Sequence, residues 1–337
     1  MSLAAVIAAL LGTSLTAYGT LAGADFGAGI LDLAAAGRPT ERRAIAAAIG
    51  PVWEANHVWL IFSITILFSA FPHAFSALGT GLLAPLTVAL LAIVVRSVAL
   101  GLRGSVGSVG SAGPGQRRLS AMFGLASVVA PFAFGMVAGG LAQAAFAVTP
   151  HGAPALTIRW TSPVALAVGL LAVALCAALA AGFVALGCAR SGQVALTERF
   201  RRRAIEAGVA VLLAMAIALG AVAADTPALW HRLTGAALPV LVVGVAAELM
   251  GVLALARRRY VIARAAGVVS ASAVLWGWFV AQAPRLVGPR LTVPVAAATH
   301  TALVAVAVSV GAVLVVVVPA TVLLFSLFDR PVLEVSE

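Results

Sequence analysis

The residues in this chain whose types and spacing can do chemistry are ionisable groups lying inside long apolar runs. Asp25, Glu54, Arg96 and Glu248 each sit in such a run. A charged group at the centre of a membrane helix costs about 2.5–3.5 kcal/mol on insertion scales, so each needs a reason to be there. Asp25 ends the first apolar run and Glu54 opens the second, which places both carboxylates at one margin of a bilayer, where they can accept protons. Around Glu54 the sequence reads Pro51-Val52-Trp53-Glu54-Ala55-Asn56-His57-Val58-Trp59-Leu60. Glu54 and His57, three residues apart, share a helix face, with Trp53 and Asn56 close by, and such a face can carry protons. The same residues also have plainer roles. Pro51 suits a first helical position, Glu54 then complements the helix dipole, and Trp53 and Trp59 fit an aromatic belt at the headgroups.

Arg96 lies well inside the third run and needs a carboxylate, either Glu54 or Asp25. Glu248 has no basic residue near it in sequence; it is protonated, or faces a cavity or a partner chain. Gly19, Gly23 and Gly27 recur every four residues, a face that lets another helix backbone approach closely. His57, His73 and His300 raise the question of b-type haem, but no two show a paired arrangement at matching membrane depth. No Cys/His cluster has metal-site spacing. Cys176 and Cys188 fall in one apolar run, roughly 18 Å apart along a helix, and cannot pair.

The elements that hold these groups must be membrane helices. The 337 residues are 63% hydrophobic and 9% charged, with a mean hydropathy of +1.12, far from a soluble composition. The apolar runs exceed the ten-residue alternating segments of a transmembrane barrel. Nine spans are predicted at 3 to 24, 54 to 71, 76 to 100, 120 to 147, 162 to 188, 204 to 223, 236 to 256, 261 to 281 and 295 to 328. The short connection at Pro72 and His73 predicts an antiparallel hairpin of the second and third spans. The whole chain, 1–337, reads as one transmembrane domain, with a Gly/Ser-rich loop at 102–118. No clear sequence repeat relates its halves.

All 21 basic residues are arginine, and the net charge is +10. They are scattered between apolar runs, which suits topology signals and not nucleic-acid binding. The odd loops hold Arg38, Arg42 and Arg43; Arg103, Arg117 and Arg118; Arg190, Arg199, Arg201, Arg202 and Arg203; and Arg257, Arg258, Arg259 and Arg264, while the even loops hold Arg159, Arg232, Arg285 and Arg290. The positive-inside rule therefore places the N-terminus outside and the C-terminus in the cytoplasm. The first Arg is Arg38, so the first run lacks the positive flank of a signal peptide and is read as a retained span.

These residues resemble subunit II of the cytochrome bd-type quinol oxidases, the cyanide-insensitive branch included. Gly23-Ala24-Asp25-Phe26-Gly27-Ala28-Gly29 is similar to the family's G-[FA]-D-[FM]-G-x-G run, and Pro51 to Leu60 to its P-x-W-[DE]-x-N-[QH]-V-W-L run. Trp276-Gly277-Trp278 followed by Ala281-Gln282-Ala283-Pro284 resembles a Gly-Trp and Ala-Gln-x-P segment near the family's last helices. The resemblance implies about nine helices in two four-helix bundles plus a peripheral helix, packed against a larger subunit I in a bacterial cytoplasmic membrane. It implies a quinol-oxidising, dioxygen-reducing complex whose haem b and haem d belong to subunit I, with no haem and no catalytic residue in this chain. It further implies a proton path in which Glu54 and Asp25 take part, supported by Trp53, Asn56, His57, Trp59 and Arg96. A structural quinone and a small accessory subunit occur in some members. Two departures stand out: Ala22 occupies the place of a frequent second acid, and Arg96-Ser97 replaces a frequent Arg-Pro.

Intramembrane acids also suit a proton-coupled secondary transporter. Such a transporter works alone and breaks helices around a midplane site, and no Gly/Pro-interrupted pair in matching halves is read here. A third reading is a scaffold for the haem subunit.

Overall fold

The computed structural model describes residues 2–106, 114–148 and 154–328. Its elements in order are α1 (Leu3–Ala34), α2 (Pro39–Ala70), α3 (Pro72–Gly81), α4 (Leu83–Val106), α5 (Pro114–Ala142), β1 (Ala145–Val148), β2 (Pro154–Thr157), α6 (Pro163–Arg190), α7 (Val194–Asp225), α8 (Pro227–Thr234), α9 (Leu238–Ala256), α10 (Tyr260–Gln282), β3 (Arg285–Val287), β4 (Leu291–Thr292), α11 (Val293–Ala296) and α12 (His300–Phe328). Among the described residues eight helices are long and apolar enough to cross a membrane, and nine if Val58–Ala70 and α3 form one bent span.

Helices α1, α2, α4 and α5 form one bundle and α6, α7, α9 and α10 a second; α1 and α5 pack on α6 to join them, and α12 lies on α2 at the edge. The join depends on small residues. Leu275 packs over Gly19 and Leu179 over Gly23, while the backbone of Cys176 and the side chain of Ala180 fill the space beside Gly27. On the neighbouring face Ser127 of α5 occupies the place a side chain at Gly29 would need. A glycine-rich stretch is a poor helix former in isolation, and here close backbone contact on two sides sustains the helix.

That contact overturns the expected end of the first span. α1 runs to Ala34, and Asp25, 3% exposed, lies well inside the helix rather than at its end. The second helix likewise begins at Pro39, with Glu41 in its first turn, and not at Pro51. The expected hairpin of spans two and three is also corrected. α3 leaves α2 at 115°, and α4 packs chiefly on α5 instead of running back along α2. Of the Gly/Ser-rich stretch 102–118, both ends are helical, in α4 and α5. Two antiparallel hairpins, β1–β2 and β3–β4, were not foreseen; the former begins within the run assigned to the fourth span. With α3 and α11 the hairpins close the end of the molecule opposite the arginine-rich one, around Phe71, Leu82, Val287 and Ala296.

The halves share a plan the sequence did not disclose. Each runs long helix, 32-residue helix, short helix opened by proline, two further helices and a hairpin. Pro39, Pro72 and Leu83 open α2, α3 and α4; Val194, Pro227 and Leu238, each the same interval further on, open α7, α8 and α9. Matched proline breaks therefore exist, but each ends a long helix instead of interrupting it at mid-depth.

Gly27→Ala drives a methyl into the α6 backbone, and overpacking of this kind costs about 1–3 kcal/mol or more. The variant is expected to lower the unfolding temperature and the yield of monodisperse protein, whereas Gly79→Ala, with open space around it, is expected to behave as wild type.

Candidate functional site

Asp25 and Asp32 lie two turns apart on one face of α1, and Arg96 and Arg103 lie two turns apart on one face of α4, so the two helices meet as a ladder of opposite charges. All four residues are buried. Arg96 forms an ion pair with Asp25, and its Nη2 also donates to the Asp25 backbone carbonyl at 3.0 Å. Its Nε donates to Ser127 Oγ at 2.9 Å, and that hydroxyl donates to the Phe123 carbonyl at 2.7 Å. At the second rung Asp32 accepts two bonds from Arg42, 2.8 Å from Nε and 2.7 Å from Nη2, and a third from Arg103 at 3.2 Å. The Arg96 and Arg103 guanidiniums stand 4.8 and 4.9 Å from the centre of the same Phe123 ring. An aromatic face between two cations attracts both, by about 0.5–2 kcal/mol each.

The ladder continues to the arginine-rich end. Glu41, fully buried, takes Arg199 at 2.9 Å and Arg203 at 2.8 Å from α7, and Arg38 at 3.5 Å. Burial pushes the Glu41 carboxyl up, but the hydrogen bond from Arg199 and the fields of Arg203 and Arg38 outweigh it and hold the group below the usual carboxylate range.

Of the residues singled out in the sequence, Asp25 and Arg96 come together, and Asp25 rather than Glu54 is the partner seen. The side chains of Glu54, Trp53, Asn56 and His57 lie outside the described residues, and so does any contact of theirs; only the helical backbone of α2 through them is described. Trp59, half-buried, offers its backbone carbonyl to Ser14 Oγ at 3.0 Å and Ser63 Oγ at 2.8 Å, tying α1 to α2. Gly277 packs against Leu241, and Trp278 Nε1 donates to the Ala138 carbonyl at 3.2 Å, so this aromatic segment joins α10 to α9 and α5. Asp32, Glu41, Arg42, Arg103 and Ser127 were missed. The matched seven-residue spacing of the two acids and two arginines was the signal that could have found four of the ladder's members.

The arrangement can hold helices in register and keep carboxylates inside the membrane at low cost. The described histidines His73, His231 and His300 are all exposed; the side chain of His57 lies outside the described residues. Among the described residues no group of three or more His, Cys, Asp or Glu is placed to hold a metal ion.

A family model described as cytochrome bd terminal oxidase subunit II matches residues 3–328. The chain belongs to that family. It is 38% identical over 86 residues to the cytochrome bd ubiquinol oxidase subunit 2 of Bacillus subtilis strain 168, covering 26% of this chain and 25% of the relative. It is 31% identical over 97 residues to the cytochrome bd-I ubiquinol oxidase subunit 2 of Escherichia coli K12, covering 29% and 26%. These alignments span about a quarter of the curated relatives' length. The bd oxidase structure from Geobacillus thermodenitrificans matches with a TM-score of 0.80 and 20% identity over 98% of this chain and 99% of that one, a likeness of fold. Membership in this subunit II family, with its many apolar helices, makes the chain a multi-pass membrane protein and does not favour the transporter reading.

Removing one partner of a buried ion pair costs about 3–5 kcal/mol. Arg96→Gln and Asp25→Asn are each expected to lower thermal stability strongly, and the double variant to lose less than the sum; additive losses in that cycle would mean the two groups are not coupled. For Glu41 the depressed folded value means its stabilisation is present above the ordinary carboxylate value of about 4.3 and is lost as pH falls through the folded one. Amide exchange in the first turns of α7 is expected to accelerate in that acid window, and in Glu41→Gln already at neutral pH.

Proposed function

We propose that the chain is the non-haem subunit of a membrane quinol:dioxygen oxidoreductase of the cytochrome bd type. The single observation that carries this reading is the family match along residues 3–328. In this reading a larger, haem-bearing subunit I carries haem b and haem d and oxidises quinol, and this chain scaffolds it and contributes to a cytoplasmic proton path. A structural quinone, lipid and a small accessory subunit are compatible additions.

Two acids have different tasks in the proposal. Asp25, tied to Arg96, whose guanidinium also lies over the Phe26 ring, is a positioning residue that sets α4 against α1. Glu54, in the W-E-x-N run, is the acid assigned to proton transfer toward the partner. The arginine-rich ends, which carry Arg38, Arg42, Arg199 to Arg203 and Arg257 to Arg259, face the cytoplasm in this reading, and the N-terminus lies outside. Glu41 and its arginines then form the lock on the cytoplasmic face.

The test is a reduced-minus-oxidised spectrum of membranes expressing this chain with and without the adjacent haem subunit, followed by Glu54→Gln in the complex. Haem b and d bands that require the partner, with oxygen consumption reduced about a hundredfold and haem content unchanged in the variant, are the expected outcome, a hundredfold being the low end of what one proton-transfer group contributes, about 10²–10⁴. Haem bound by this chain alone would overturn the division of labour, and unchanged turnover would leave only the scaffold role.

A further inference from the structure

Glu248 lies in the second bundle, 5% exposed, midway along α9. It lines a cavity between α6, α7, α9 and α10, together with Leu179, Gly182, Gly208 and Gly251. About 20 Å³ there is open to the centre of a water-sized sphere, enough for one water molecule. No cation pairs with Glu248 among the described residues. Its polar neighbour is Ser270 of α10, fully buried, whose hydroxyl lies beside the carboxylate without a well-formed hydrogen bond to it or to any other group. Arginines on the adjoining helices act elsewhere: Arg201 of α7 donates to the Leu255 carbonyl and Arg264 of α10 stacks on Phe183.

The matched halves sharpen the contrast. The interval that carries Leu83 to Leu238 carries Arg96 to Gly251, so the second bundle has a hollow where the first has a guanidinium. Glu248 stands eight residues from the end of α9 and Asp25 nine from the end of α1, roughly 12–14 Å along each axis, so the acids lie at similar depth. α6 separates them, with Cys176 against Gly23 on one side and Ala178 and Gly182 on the cavity.

We infer that Glu248, Ser270 and one water form a buried proton-binding site. The carboxylate takes up one proton relayed from solvent by the cavity water, which passes one proton on and gains another in its place, and so becomes a neutral acid; its O–H donates to that water, and its carbonyl oxygen accepts from the Ser270 hydroxyl beside it. An unpaired carboxylate in this setting is too costly to persist, and the other lining side chains offer no oxygen ligands for a metal ion. Thus one bundle neutralises its acid with arginine and the other with a proton that exchanges with water.

Infrared spectra of the assembled complex in H2O and D2O test this. Wild type is expected to show a protonated-carboxyl C=O band that shifts in D2O and is missing in Glu248→Gln. A methyl at Gly182 meets nothing within 4 Å, so Gly182→Ala folds and fills the cavity; it is expected to retain the band but to slow its D2O shift severalfold. If Glu248→Gln does not assemble, Gly182→Ala decides alone. A spectrum unchanged by Glu248→Gln, or exchange in Gly182→Ala as fast as in wild type, overturns the site.

Discussion

A charge inside hydrocarbon must be answered by another charge or by a proton, and the first bundle is arranged around that requirement. Two carboxylates on α1 face two arginines on α4 at the same spacing, with a third arginine from α2 at the second rung. Buried ion pairs add little stability relative to apolar packing, since desolvation offsets most of the Coulomb gain. Their effect is to penalise every other arrangement. A slip of α4 by one turn would leave two guanidiniums and the Asp25 carboxylate unpaired, with Asp32 held by Arg42 alone, and the cost of that error sets the register. Phe123, between the guanidiniums, and Ser127, on Arg96, extend the same specification to α5.

The ladder works only because the helices approach closely. In a bilayer, apolar side chains gain little by leaving lipid for protein, and association comes from close packing and polar contacts. Gly23 and Gly27 bring α1 onto α6, and Gly135 and Gly139 of α5 meet the α6 backbone near Gly169 and Ala165 in the same way. α6 is therefore contacted by glycines from both sides and serves as the shared wall of the two bundles.

Much of this was legible in the sequence, and the failures have common causes. Apolar runs marked the spans, because hydrocarbon thickness imposes length. They misplaced helix ends wherever charged or glycine-rich residues lie within a helix: Asp25 and Asp32 in α1, Glu41 and Arg42 in α2, Arg103 in α4. Hydropathy reads such residues as loop, since it counts each side chain alone and cannot see a partner supplied by another helix. Arg96 was recognised as needing a carboxylate, and two candidates were named, yet only the fold could choose between them. Arg103 was counted as a loop residue although it repeats the position of Arg96 seven residues later. The repeated plan of the halves escaped notice because it lives in element lengths and proline positions, while the side chains have diverged, Arg96 answering to Gly251.

The outward face of α4 is almost entirely aliphatic, with Leu90, Leu91, Val94 and Val98 all half exposed or more, while its inward face carries the two arginines. Such a helix enters a bilayer readily by one side and is unwelcome there by the other until α1 is beside it. During synthesis α1, with Asp25, is made before α2 and α3, and waits through both before α4 arrives. Biogenesis of this chain is thus a delayed handshake: α1 cannot settle into lipid until α4 has been made. Asp32 finds Arg42 within the next helix, but Asp25 has to be sheltered for the time it takes to translate some seventy residues, its separation from Arg96.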